Sequence, residues 1–276
     1  MKKYIIIALL SLLSYNANAQ FIEKSDFGII VGGGNYIGDL NPKYNFYNTK
    51  LMVGAIYRYN INPRWAVRGN FLFGSVAAND ADFDNIRNLS FESKINEISA
   101  ICEFNFFDYQ IGSRKHRLTP YLFGGIGVFF MKPKALIENR ITNLTEYVEL
   151  QPLTTEGQGM EGFDSPYSLT QISIPFGLGV KFSVNKFVSI GLEWGLRKTF
   201  TDYIDDVSKD YVDRTTLLDW SGELGLSASD RTNEILENTY NPTGSMRGNP
   251  QTKDWYQFFG FMITAKIPHK VKCYTF

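Results

Sequence analysis

Apolar and polar positions alternate with period two along most of the chain beyond residue 25. That is the pattern of strands with one face in an apolar medium. From Gln171 to Ser183, Ile172, Ile174, Phe176, Leu178, Val180 and Phe182 share one face, and Ser173, Pro175, Gly177, Gly179 and Lys181 share the other. The next segment repeats it. Val188, Ile190, Leu192, Trp194 and Leu196 alternate with Ser189, Gly191, Glu193, Gly195 and Arg197. The pattern predicts eight strands, over residues 27–37, 50–60, 64–77, 91–107, 119–132, 171–183, 187–199 and 255–267. Each has the roughly 9–11 residues that a tilted strand needs to cross a bilayer. The first and fifth are glycine-rich, and their facing is ambiguous.

Connections of unequal length join these strands. Asn60-Ile61-Asn62-Pro63 and Val184-Asn185-Lys186 are tight turns, whereas long loops are expected at about 38–49, 78–90, 133–170 and 200–254. Short turns at one end and long loops at the other mark bacterial outer-membrane barrels. The expected fold is therefore all-β, an eight-stranded antiparallel transmembrane outer-membrane β-barrel with long extracellular loops. Within the last loop, 219–226 and 229–237 are expected to form short helices. Arg58, Arg68, Glu97, Glu103, Lys181, Glu193 and Arg197 fall on the lumen face. Eight strands enclose a space that side chains just fill. Paired charges plugging the interior are expected rather than an open pore.

The N-terminus sets the compartment. Lys2 and Lys3 precede an apolar run from Tyr4 to Leu13, and Ala17-Asn18-Ala19 offers small residues to a signal peptidase. Residues 1–19 read as a cleaved secretory signal peptide, and residues 20–276 as one barrel domain with a periplasmic tail at 268–276. The 28 basic and 28 acidic residues cancel, which argues against nucleic acid as a partner. Outer-membrane lipid is the expected surrounding.

Candidate chemistry is sparse. Asp80-x-Asp82-x-Asp84 resembles the start of a calcium loop, but Asn85 replaces the turn glycine and Phe91 the closing Glu, so a solvated loop is expected. Gly32-Gly33-Gly34 does not fit the dinucleotide fingerprint. Asp202-Tyr203-Ile204-Asp205-Asp206 is a dense acidic cluster that could bind a cation or dock a partner; salt bridges to an arginine such as Arg197 or Arg247 are the favoured expectation, with Asp39 approaching it. The two histidines, His116 and His269, map to the short-turn side without an orienting neighbour, so no nucleophile–base constellation is expected. No enzyme activity, cofactor, metal or small-molecule substrate follows from the sequence. Cys273, in the tail of an exported chain, is a candidate for an intermolecular disulfide.

Several strings resemble one family in order and spacing. They are Gly34-Asn35-Tyr36-Ile37-Gly38-Asp39-Leu40-Asn41, Arg87-Asn88-Leu89-Ser90-Phe91, Glu103-Phe104-Asn105-Phe106 and Thr119-Pro120-Tyr121-Leu122-Phe123-Gly124-Gly125. Thr201-Asp202-Tyr203-Ile204-Asp205-Asp206-Val207-Ser208, Arg247-Gly248-Asn249-Pro250 with Asp254-Trp255-Tyr256, and the tail Lys272-Cys273-Tyr274-Thr275-Phe276 complete the set. Together they resemble the PorG-like outer-membrane proteins of Bacteroidetes, a family of DUF6089 type. The tail departs from the pattern, with Tyr274 where Pro is expected. The resemblance implies a role in the type IX protein secretion and gliding machinery, with the lipoprotein of its periplasmic ring as partner. It also marks Asn35, Tyr36, Asp39, Asp202, Tyr203, Asp205 and Asp206 as family-motif loop residues. The rival expectations are a general structural barrel of the OmpA type and a small pore or ligand-transport barrel.

Overall fold

The computed structural model describes residues 25–42, 46–83, 85–139 and 144–268. The signal segment 1–19, Asp84, His269 and Cys273 lie outside the described residues.

Strands β1 (Ser25–Ile37), β2 (Lys50–Asn60), β3 (Trp65–Asn79), β4 (Ser90–Asn105), β5 (Leu118–Asn139), β7 (Thr170–Ser183), β8 (Val188–Thr199) and β9 (Trp255–Lys266) form a closed antiparallel ring of eight. The seam joins the first and last strands, from Asp26 opposite Lys266 to Ile37 opposite Trp255. The β5–β7 ladder skips Gly125 and Ile126. Pro175 falls in that gap and has no N–H to donate.

Alternation along each strand sends one set of side chains into the lumen and the other outward. On β8, Ser189, Gly191, Glu193, Gly195 and Arg197 are buried while Leu192 and Trp194 are exposed. The two ambiguous strands resolve. Gly28, Ile30 and Tyr36 of β1 are buried inward, against exposed Phe27, Ile29 and Val31. Tyr121, Phe123, Phe129 and Met131 of β5 point in, against exposed Leu122, Ile126, Val128 and Phe130. The outward residues make an apolar belt that includes Phe71, Ile98, Leu178, Phe261 and Ile263 and touches every barrel strand. An apolar surface of this extent is stable against lipid tails rather than water.

At one end the β2–β3 and β7–β8 connections are tight and share a device, while the β4–β5 connection is longer. Asn62 Oδ1 accepts from the backbone N–H of Arg64 and Trp65, both at 2.8 Å. Asn185 Oδ1 accepts from those of Phe187 and Val188, at 2.8 and 2.9 Å. These Asx turns close the chain without side chains in the ladder.

At the other end the structure departs from the expected loops. β5 continues past the belt to Asn139 and pairs with a ninth strand, β6 (Leu144–Glu149), inside the segment 133–170 expected to be a loop. Lys132 and Lys134 hold Glu149 at 2.6 and 3.4 Å on this extension. The helix α1 spans Arg214–Ser229, longer than the expected 219–226. Asp213 caps it, accepting from Thr216 N–H at 2.9 Å, and Gly222 breaks it at φ 71° and ψ −177°, a region open almost only to glycine. The expected second helix, 229–237, is reduced to a single 3-10 turn at Thr232–Glu234.

Candidate functional site

Two polar assemblies stand on this frame, one filling the lumen and one closing its mouth. Inside the barrel, Arg58, Arg68, Lys181 and Arg197 face Asp26, Glu97, Glu103 and Glu193, and all eight are buried. Four cations and four carboxylates leave the interior neutral. Glu103 is the hub, at 2.9 Å from Arg58, 3.0 Å from Arg68 and 2.7 Å from Lys181. Arg58 also reaches Asp26 at 2.8 Å, and Arg68 reaches Glu193 at 2.7 Å. Higher up, Arg197 meets Glu97 at 3.3 Å. Tyrosines add to the shells. Tyr121 donates to Glu193 at 2.8 Å and Tyr256 to Glu97 at 2.6 Å. Buried charges persist only when paired and hydrogen-bonded in this way.

The mouth is closed by a cap in which all four long connections meet. Arg87, from the second, pairs with Asp80 at 2.8 Å and donates to the backbone oxygens of Asp39 in the first and Arg247 in the last. Glu156, from the third, accepts from Ser208 N–H at 2.9 Å, Lys209 N–H at 3.1 Å and Arg247 Nη1 at 2.8 Å. Apolar contacts under this network come from Phe91, Ile137, Ile204, Val207 and Ala228.

Two glycines permit the close packing. A Cβ on Gly38 would fall 2.1 Å from the Tyr36 hydroxyl and 2.3 Å from Asp254 Oδ1. One on Gly248 would meet Asp39 Oδ2 at 2.6 Å.

The family-motif residues part into separate roles. Tyr36 and Asp205 come together with Asp254, the Tyr36 hydroxyl lying 2.6 Å from a carboxylate oxygen of each. Asp206 accepts from Thr155 at 2.5 Å and Tyr167 at 2.6 Å, and Arg247 lies 3.8 Å away. Asp202 accepts from the Ser208 hydroxyl at 2.7 Å. Burial raises both Asp202 and Asp206 to about 6, against the lowering pull of Ser208 on the first and Arg247 on the second. Tyr203 stacks on Tyr167 with centroids 4.5 Å apart and planes 7° from parallel. Asp39 accepts from Asn249 N–H at 2.6 Å, and burial raises its carboxyl. Asn35 joins none of these. Fully buried, it donates to Thr49 Oγ1 at 2.9 Å, tethering the first connection.

Arg247 reaches the acidic cluster, while Arg197 is engaged by Glu97 in the lumen. Asp80 of the calcium-like string is held by Arg87 and by Leu89 N–H at 2.9 Å. Among the described residues no group of His, Cys, Asp and Glu is arranged to hold a metal ion. Cys102 is a free thiol on the outer face of β4. Sequence reasoning did not single out Asp26, Tyr121, Tyr256 or Glu156. Asp26 lies one residue before the expected start of β1 and is in phase with Gly28 and Ile30, the signal that could have found it.

The family profile described as "Domain of unknown function (DUF6089)" matches residues 2–152. No curated protein sequence matches the chain. Among solved structures, the chain is similar to Neisserial surface protein A (NspA), at 10% identity, covering 88% of this chain and 97% of that one, with a TM-score of 0.44. The attachment invasion locus protein Ail of Yersinia pestis gives 11%, 89%, 99% and 0.42. The outer membrane protein OprG of Pseudomonas aeruginosa gives 10%, 88%, 96% and 0.39.

Proposed function

Taking as premise that the chain belongs to the DUF6089 family, whose profile covers more than half of it, we propose that it is a non-enzymatic outer-membrane component of the type IX protein secretion and gliding machinery. It anchors or helps assemble the periplasmic ring. The apolar belt seats the barrel in the outer membrane, with the capped end outside and the Asx turns in the periplasm. The partner is the lipoprotein of the ring, met by the turns at Asn62 and Asn185, the connection holding Arg114 to Arg117, and the tail with Cys273.

The observation that carries this reading is the filled lumen. Four buried cations are locked on four buried carboxylates across the lumen. The titratable groups of the interior are also committed to one another, which suits a scaffold rather than a catalyst. A sealed barrel offers a partner only its outside, its turns and its cap. The secretion assignment draws on the family strings along the chain.

Affinity purification of the tagged chain from native membranes, read by mass spectrometry, tests it. Enrichment of a periplasmic lipoprotein, together with lost cargo secretion on deletion of the gene, is the expected result. Normal secretion without the gene refutes the role. Enrichment of nothing beyond bulk outer-membrane proteins favours a general structural barrel instead.

A further inference from the structure

The cap contains a hydrogen-bond arrangement that does not balance with ionised groups alone. The Tyr36 hydroxyl sits 2.6 Å from Asp205 Oδ2 and 2.6 Å from Asp254 Oδ1. It carries one proton and can donate to only one of them. The remaining carboxyl oxygen each aspartate offers is taken by a backbone donor. Val207 N–H gives to Asp205 Oδ1 at 3.0 Å, and Ile204 N–H gives to Asp254 Oδ2 at 2.8 Å. All three side chains are buried, at 0%, 1% and 1% exposure. Among the described residues no cation lies within ion-pair distance of either aspartate.

The surroundings add negative charge. Asp39 from the first connection and Asp202 from the last act on the pair, and Glu97 with Tyr256 lies in the lumen below. The cations that face the cluster are engaged elsewhere. Arg87 is held by Asp80 and reaches Asp205 only through its longer-range field, and Arg247 is held by Glu156 and Asp206. Lys253 reaches Asp202 only through its longer-range field, and its ammonium donates to Pro250 O at 3.1 Å.

We propose that Asp205 and Asp254 share one proton across the Tyr36 hydroxyl, and that this proton latches the last long connection onto the end of β1, closing the cap. One carboxyl donates to the tyrosine oxygen, and the tyrosine donates to the other carboxylate, so both short contacts become hydrogen bonds. Loss of the proton leaves two like charges against one donor, and the latch loosens. Burial raises both carboxyls well above the ordinary range, with Asp254 and Asp39 adding to the rise of Asp205, and Asp202 and Asp39 to that of Asp254. The sign follows. Carboxyls raised in the closed state stabilise it fully below their open-state value, near 4, and this stability is lost as pH rises toward the closed-state value.

Hydrogen exchange of peptides spanning residues 202–208, on the full chain in detergent micelles and corrected for intrinsic rates, tests the latch. Above pH 7, Asp202 and Asp206 have already ionised. There the opening constant of the wild type should rise as much as tenfold per pH unit, the slope of one linked proton. Asp205→Asn supplies a permanent amide donor to the tyrosine oxygen and keeps one carboxylate, so that slope should vanish and protection at pH 8–9 should exceed wild type. Asp254→Asn provides the same test from the other side if the first variant fails to fold. A wild-type slope retained in both variants overturns the proposal, as does an infrared spectrum showing no protonated carboxyl that D205N removes.

Discussion

Glu103 touches three cations, so its removal exposes the logic of the lumen at the level of a single side chain. Glu103→Gln keeps the shape but strips charge from the group that Arg58, Arg68 and Lys181 share. Breaking a buried ion pair typically costs about 3–5 kcal/mol, because the orphaned charges stay out of water. Urea unfolding of the barrel in lipid vesicles should show a loss of that order, and a loss below about 1 kcal/mol would mean that the remaining carboxylates absorb the change. What the sequence left hidden at this scale has a plain cause. Asp26 stands directly opposite Arg58 in the ladder, yet it precedes the apolar run that marks β1. Glu156 belongs to no alternating stretch, and only the fold brings it to Arg247.

Elements in contact with lipid were legible and those above it less so. The alternation in β7 and β8 admits one facing only, because a one-residue shift would bury every apolar side chain in the lumen. Leu178, near the middle of β7 and flanked by Leu122 and Trp194, tests this face. Leu178→Arg should destabilise the barrel by about 2–4 kcal/mol in bilayers. The same vesicle unfolding assay reads it, and a neutral outcome would place that face out of the hydrocarbon. β5 shows why the reading stopped early. Its inward residues stay apolar through Ala135 and Ile137, but its outward residues change from Phe130 to Lys132 and Lys134. The strand outlives the medium that writes its pattern, and β6 is only six residues long. The helix was cut short for a similar reason. Its start is set by the Asp213 cap rather than by an apolar stripe.

For the whole molecule, the buried charges of the lumen and the cap above them lie on one axis, and we expect each to block it. Planar bilayers should therefore show no sustained conductance from the wild type, and deleting residues 209–246 should leave the barrel silent although its cap is broken. Steady channels in the wild type would refute the filled lumen. Channels in the deletion alone would show that the cap is the only barrier. The ion pairs also reach between strands that are not neighbours in the ring. Arg68 on β3 meets Glu193 on β8, Arg197 on β8 meets Glu97 on β4, and Lys181 on β7 meets Glu103 on β4. Arg68 and Glu193 have three strands between them whichever way round the ring is followed, so that pair needs the closed barrel, and a strand registered one residue out of step would turn its charge toward lipid tails. The lumen thus acts as a checksum on membrane insertion, because its charges are all paired only when the six strands that carry them have arrived in register and the seam between β1 and β9 has closed.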